Sequence, residues 1–106
     1  MDALDTQDLN LYLVAVEARV KVQICVRHAP ASEPLYAGRL NEWLSANQEA
    51  LARGAAEAER KGFNKPPASV ERLASSSAQL LENLPADDRD RRCKELLVSL
   101  ASQPRK

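Results

Sequence analysis

The sequence predicts an all-α fold, an antiparallel bundle of about four helices. Three observations carry this. Ala and Leu supply 32 of the 106 residues and only nine residues are β-branched, a balance that favours helix over strand. Apolar residues recur at helical spacing in four segments. The connections between those segments are short, which makes successive helices antiparallel neighbours. They leave no domain boundary, so residues 1–106 read as a single domain.

The first helix is expected over about 5–27. Asp5 is the predicted N-cap, and Asp8 sits in the first turn, where a carboxylate suits the positive end of the helix dipole. Leu9, Leu13, Val16, Val20 and Ile24 form its apolar stripe. Val20 to Val26 also alternates like a strand. No turn signal separates it from the helix before it, and no second strand is available to pair with it, so it reads as helix. His28-Ala29-Pro30 ends the segment.

The second helix is expected over about 32–61, with Ser32 as N-cap and Pro34 in the first turn, where its missing N–H costs nothing. Tyr36, Leu40, Trp43, Asn47, Leu51, Gly54 and Ala58 share one face, and a bend is foreseen near Asn47 or Gly54. Gly62 reads as a left-handed C′ residue, with Phe63 folding back on Ala58 in a Schellman ending. The third helix is expected over about 67–84, with Val70, Leu73, Ser77, Leu80, Leu81 and Leu84 on one stripe, and Pro85 breaks it. The fourth is expected over about 86–102. Asp87 and Asp88 stand at its positive end, Cys93, Leu96, Leu97 and Leu100 form its stripe, and residues 103–106 form a polar tail.

Composition excludes several functions. Fifteen Lys and Arg balance fifteen Asp and Glu, so the chain lacks the basic excess of a general nucleic-acid binder. No stretch approaches the roughly 20 apolar residues of a spanning helix, so no membrane insertion is expected. One histidine and three glycines leave little material for a nucleophile–base pair, a metal site or a phosphate loop. No catalytic, cofactor-binding or metal-ligating residue is therefore assigned, and no cofactor is expected. His28 reads as a cation at a helix C-terminus. Asp2, Asp5 and Asp8 lack the alternating oxygens and glycine of a calcium loop and read as a helix start. Glu57 and Glu59 lie 200° apart on a helix and are expected to face solvent.

The residues left for a partner are aromatic and basic. Tyr36, Trp43 and Asn47 are either core or the lining of a groove. Arg89 and Arg92, with Arg91 and Lys94, form the only basic cluster, which is either a solvated face or a docking patch for an acidic partner. Ser75, Ser76 and Ser77 are either a helix-contact surface or exposed filler.

Cys25 and Cys93 form an even pair without metal or redox spacing. A bridge between them would staple the first helix to the last and contribute roughly 4 kcal/mol. The alternative is two buried free thiols. The acidic start, Met1-Asp2-Ala3-Leu4-Asp5, lacks the basic region of a secretory signal, so the chain reads as cytosolic or as the mature part of an exported protein.

Cys25, Tyr36, Trp43-x-x-x-Asn47, Leu51, Gly54 and Cys93-x-x-Leu96-Leu97 resemble a pattern of small, exported, all-helical proteins of Gram-negative bacteria. In these a long helix bearing Tyr, Trp and Asn lies between two cysteines. The resemblance covers Cys25 to Leu100. It implies a periplasmic location and a Cys25–Cys93 disulfide, and it implies no activity. The expectation is a non-enzymatic periplasmic or secreted protein that binds a partner protein, of immunity or inhibitor type. The alternative is a cytosolic helical adaptor or antitoxin-like homodimer with free thiols.

Overall fold

The structure, a computed structural model, describes residues 3–63, 65 and 69–101, with side chains from residue 7 onward. It is all-helical. The helices are α1 (Ala3–His28), α2 (Glu33–Ala46), α3 (Gln48–Arg60), α4 (Val70–Glu82) and α5 (Ala86–Ala101), and a 3₁₀ turn over Pro30–Ser32 leads into α2. Two of the sequence readings, the Asp2 helix start and the tail beyond residue 102, lie outside the described residues, as does the expected start of the third helix at Pro67.

The α1 helix is the centre, and each of the other four packs on it. Buried residues occur at Leu9, Ala15, Ala18, Val22, Ile24 and Cys25, and Leu11, Val20 and Val26 are partly buried against the same core. This corrects the single-stripe reading. A helix wrapped by four neighbours is apolar on most of its circumference, and Ala15 and Ala18 are buried more deeply than Leu13 or Val16. The helix also begins before Asp5, which therefore lies inside it and not at its N-cap.

The predicted 30-residue second helix is two helices. Asn47 leaves helical geometry (φ −113°, ψ 19°) while its N–H still reaches the Trp43 and Leu44 carbonyls. Its side-chain Nδ2 also donates to the Trp43 carbonyl at 2.8 Å, so the side chain competes for an acceptor of the helical ladder. The bend lets α2 pack on α5 as well as α1, while α3 runs down the N-terminal half of α1.

Gly54 makes that second contact possible. A Cβ built there would lie 2.1 Å from the Asp8 carbonyl oxygen and 2.8 Å from Tyr12 Cβ. Beside it, Arg53 Nε donates to the buried Asp8 carboxylate at 2.6 Å. Glu57 corrects the solvent-exposed reading. It is buried next to Ala58, and its carboxylate reaches outward to Arg60 and to Lys61 at 3.4 Å. The Schellman ending forms as expected: Gly62 has φ +78°, its N–H bonds the Glu59 carbonyl, and the Phe63 N–H bonds the Ala58 carbonyl at 2.9 Å.

Ser69 caps α4, its Oγ accepting from the Arg72 N–H at 3.1 Å. Ser32 occupies the cap position of α2 without capping; its hydroxyl donates back to the Ala29 carbonyl at 2.6 Å. The last link is a disulfide between Cys25 and Cys93, with Cα atoms 5.8 Å apart. It joins the C-terminal end of α1 to the middle of α5.

Two glycines should respond to alanine with opposite signs. Gly54→Ala should lower unfolding free energy by about 1–3 kcal/mol through overpacking. Gly38→Ala, whose new Cβ meets nothing within 4 Å, should raise it by up to about 1 kcal/mol through helix propensity. Urea titration of both variants checks the pair. Replacing both cysteines by alanine should cost roughly 4 kcal/mol in the same assay.

Candidate protein-docking groove

The groove arises because α4 and α5 are each held to α1 but hardly to each other. Val70, Ala74, Ala78 and Leu81 are the buried face of α4, and the two alanines let it sit close against its neighbour. The α5 helix is held by the Cys25–Cys93 bond and by α2. From the turn at Pro85 the two helices diverge and leave a groove of about 490 Å³. Its floor is Val14 and Ala18 of α1 with Trp43 of α2. Leu80, Leu81 and Leu84 form one wall with Ser77, and Leu96 and Leu100 form the other with Ser99. Glu17, Lys21, Arg92 and Glu95 supply the charged lining, with Lys21 3.3 Å from Glu17.

The turn end is fixed by a charged clamp. His28 Nε2 and Arg27 bond the two oxygens of Glu82 at 2.6 and 2.8 Å. Arg89 donates to the Glu82 and Leu84 carbonyls at 3.3 and 3.0 Å, covering exposed acceptors at the C-terminal end of α4. His28 thus ties the end of α1 to the end of α4, at a position away from the groove lining.

The five residues proposed from sequence for partner binding separate. Trp43 is 4 % exposed, a core side chain that also floors the groove. Arg92 is exposed on the groove rim. Tyr36 is 5 % exposed and packs in the core, where burial, and secondarily the Asp90 charge, raise its hydroxyl pKa above the ordinary value. Asn47 shapes the α2–α3 bend, and Arg89 caps α4. The reading of Tyr36, Trp43 and Asn47 as one face of one long helix is corrected by the bend itself.

Leu73 and Leu80, at 65 % and 71 % exposure, are what the sequence reading missed. They belong to the predicted apolar stripe of this helix. That stripe is too wide for one neighbour, and the contact with the bundle is made by Val70 and Leu81 from it together with Ala74 and Ala78 beside it. The wide stripe with two alanines beside it was the available signal. Among the described residues, no group of three or more His, Cys, Asp or Glu is placed to hold a metal ion.

The clamp makes stability depend on pH. Glu82 has a carboxyl pKa below the ordinary carboxylate value, chiefly through its bond from His28 and further through the Arg27 and Arg89 charges. Glu57 is lowered in the same sense, first by Arg60. A folded-state pKa below the unfolded one stabilises fully above the unfolded value, and that contribution is lost as pH falls through the folded value. Glu82→Gln should therefore lower stability at neutral pH and flatten its decline below about pH 4, as read by urea titrations across that range. Equal slopes for variant and parent would refute the clamp. No protein family matches this chain, and neither does any curated protein or any solved structure.

Proposed function

We propose that this chain is a non-enzymatic, disulfide-stapled helical protein of the periplasm or the extracellular space that binds a partner protein in the α4–α5 groove, as immunity and inhibitor proteins bind theirs. The observation that carries the reading is the open apolar wall of the groove, where Leu80 projects from α4 71 % exposed, with Leu73 two turns before it exposed on the same face of the helix. Exposed apolar surface rimmed by charge marks protein contacts. A groove between two helices accepts an amphipathic segment readily.

The Cys25–Cys93 bond supports an oxidising compartment and weighs against the cytosolic alternative with free thiols. The resemblance to exported helical proteins points the same way. Against catalysis stands the chemistry of the lining. Its carboxylates are Glu17, beside Lys21, and Glu95, and the chain's single histidine is engaged by Glu82.

The test is photo-crosslinking from position 80 in cells of the native host, followed by affinity measurement on the identified protein. Leu80→Glu should weaken that binding by tenfold or more, about 1.4 kcal/mol, without changing the far-ultraviolet circular dichroism. A partner whose affinity ignores changes at both Leu73 and Leu80 would overturn the assignment.

A further inference from the structure

Leu73 and Leu80 are the most exposed of the large apolar side chains among the described residues. They are seven positions apart, so they share one face of α4, with Ser76 and Ser77 between them. On the opposite wall, Arg92 and Glu95 stand one turn apart, and neither has an ion pair among the described residues. A partner complementary to this face would bring leucines to leucines, a base to Glu95 and an acid to Arg92.

A second copy of the chain brings all of these. In an antiparallel pairing of two identical helices, the numbers of facing residues sum to a constant. Leu73 facing the partner's Leu80 puts a two-fold axis between Ser76 and Ser77. Arg92 facing the partner's Glu95 puts one between Cys93 and Lys94. Counted from the middle of the α4–α5 turn at 1.5 Å per residue, these points lie about 11 and 14 Å along their helices. A single axis passing near both points would serve the two pairs together, and each pair would then occur twice.

The smaller residues at the axis let the α4 helices approach, and opposite charges meet on α5. The zero net charge of the chain sets up no long-range repulsion between copies. A standard interface needs about 800 Å² per copy, some 12 % of the 6917 Å² surface, which α4, α5 and the groove between them would have to supply jointly.

We propose that the occupant of the groove face is a second copy of this chain, docked face to face about that axis. The inference rests on the reading of the groove as a protein-docking face and names its partner. A different protein using the same face would compete with self-association.

The experiment is sedimentation velocity on the oxidised full chain from about 1 to about 200 µM. The expected result is a mass rising towards twice 11.7 kDa. Leu80→Glu should leave a monomer of unchanged helicity. Arg92→Glu and Glu95→Arg should each weaken the dimer roughly tenfold, and the double exchange should restore it, because the reversed pair still meets its opposite across the axis. Because the two residues are also i, i+3 neighbours on one helix, each variant must keep the far-ultraviolet circular dichroism and urea midpoint of the parent for the rescue to count as intermolecular. A monomer at every concentration overturns the proposal, as does a dimer indifferent to Leu80→Glu or one that the double exchange fails to restore. If the chain is monomeric while Leu80→Glu still abolishes capture of the crosslinked protein, self-docking fails and the docking face stands. If neither measurement responds to Leu80→Glu, both fail.

Discussion

Close packing of small side chains against α1 is the constraint on which the rest of the structure depends. With aromatics at only 4 % of residues, the bundle has few large rings to fill space between distant helices. Its helices must instead come close. Gly54 brings α3 onto the α1 backbone, Ala15, Ala18 and Ala58 are buried, and Ala74 and Ala78 seat α4. Interiors pack at crystal-like density, so each approach also decides where neighbouring side chains go. Leu73 and Leu80 of α4 lie outside the contact that Val70, Ala74, Ala78 and Leu81 make.

Charge follows from the same closeness. Asp8 lies beside Gly54 at the tightest helix contact, and Arg53 is the side chain that satisfies it. Glu57 is carried inward by its place next to Ala58 and keeps its carboxylate among Arg60 and Lys61. At the other end of the molecule, Glu82 collects Arg27 and His28 while Arg89 covers the α4 carbonyls. A buried charge without a partner is costly, so these pairings are conditions of the fold more than additions to its stability.

The disulfide and the clamp act on the same corner. Cys25, Arg27 and His28 lie within four residues at the end of α1, and they hold α5 and α4 respectively. The α4 helix is thus anchored at the shared turn and α5 at its middle. The groove is the space this anchoring leaves, and its apolar walls are surfaces that the other described residues do not cover.

Much of the local structure was legible in the sequence. The Ala and Leu excess marked the helices, Gly62-Phe63 marked the Schellman ending, Pro85 marked the α4–α5 break, and the strand-like run from Val20 to Val26 was rightly read as helix. These depend on backbone propensity and on neighbours a few residues away, which a sequence displays directly. Tertiary structure chose Asn47 over Gly54 as the place where the second helix bends and core over groove for Tyr36, and it alone decided that Asp8 meets Arg53 and that Leu73 and Leu80 face outward. Periodicity states that a face is apolar, but not which neighbour covers it. Here that was settled by how closely Gly54, Ala74 and Ala78 allow three helices to approach.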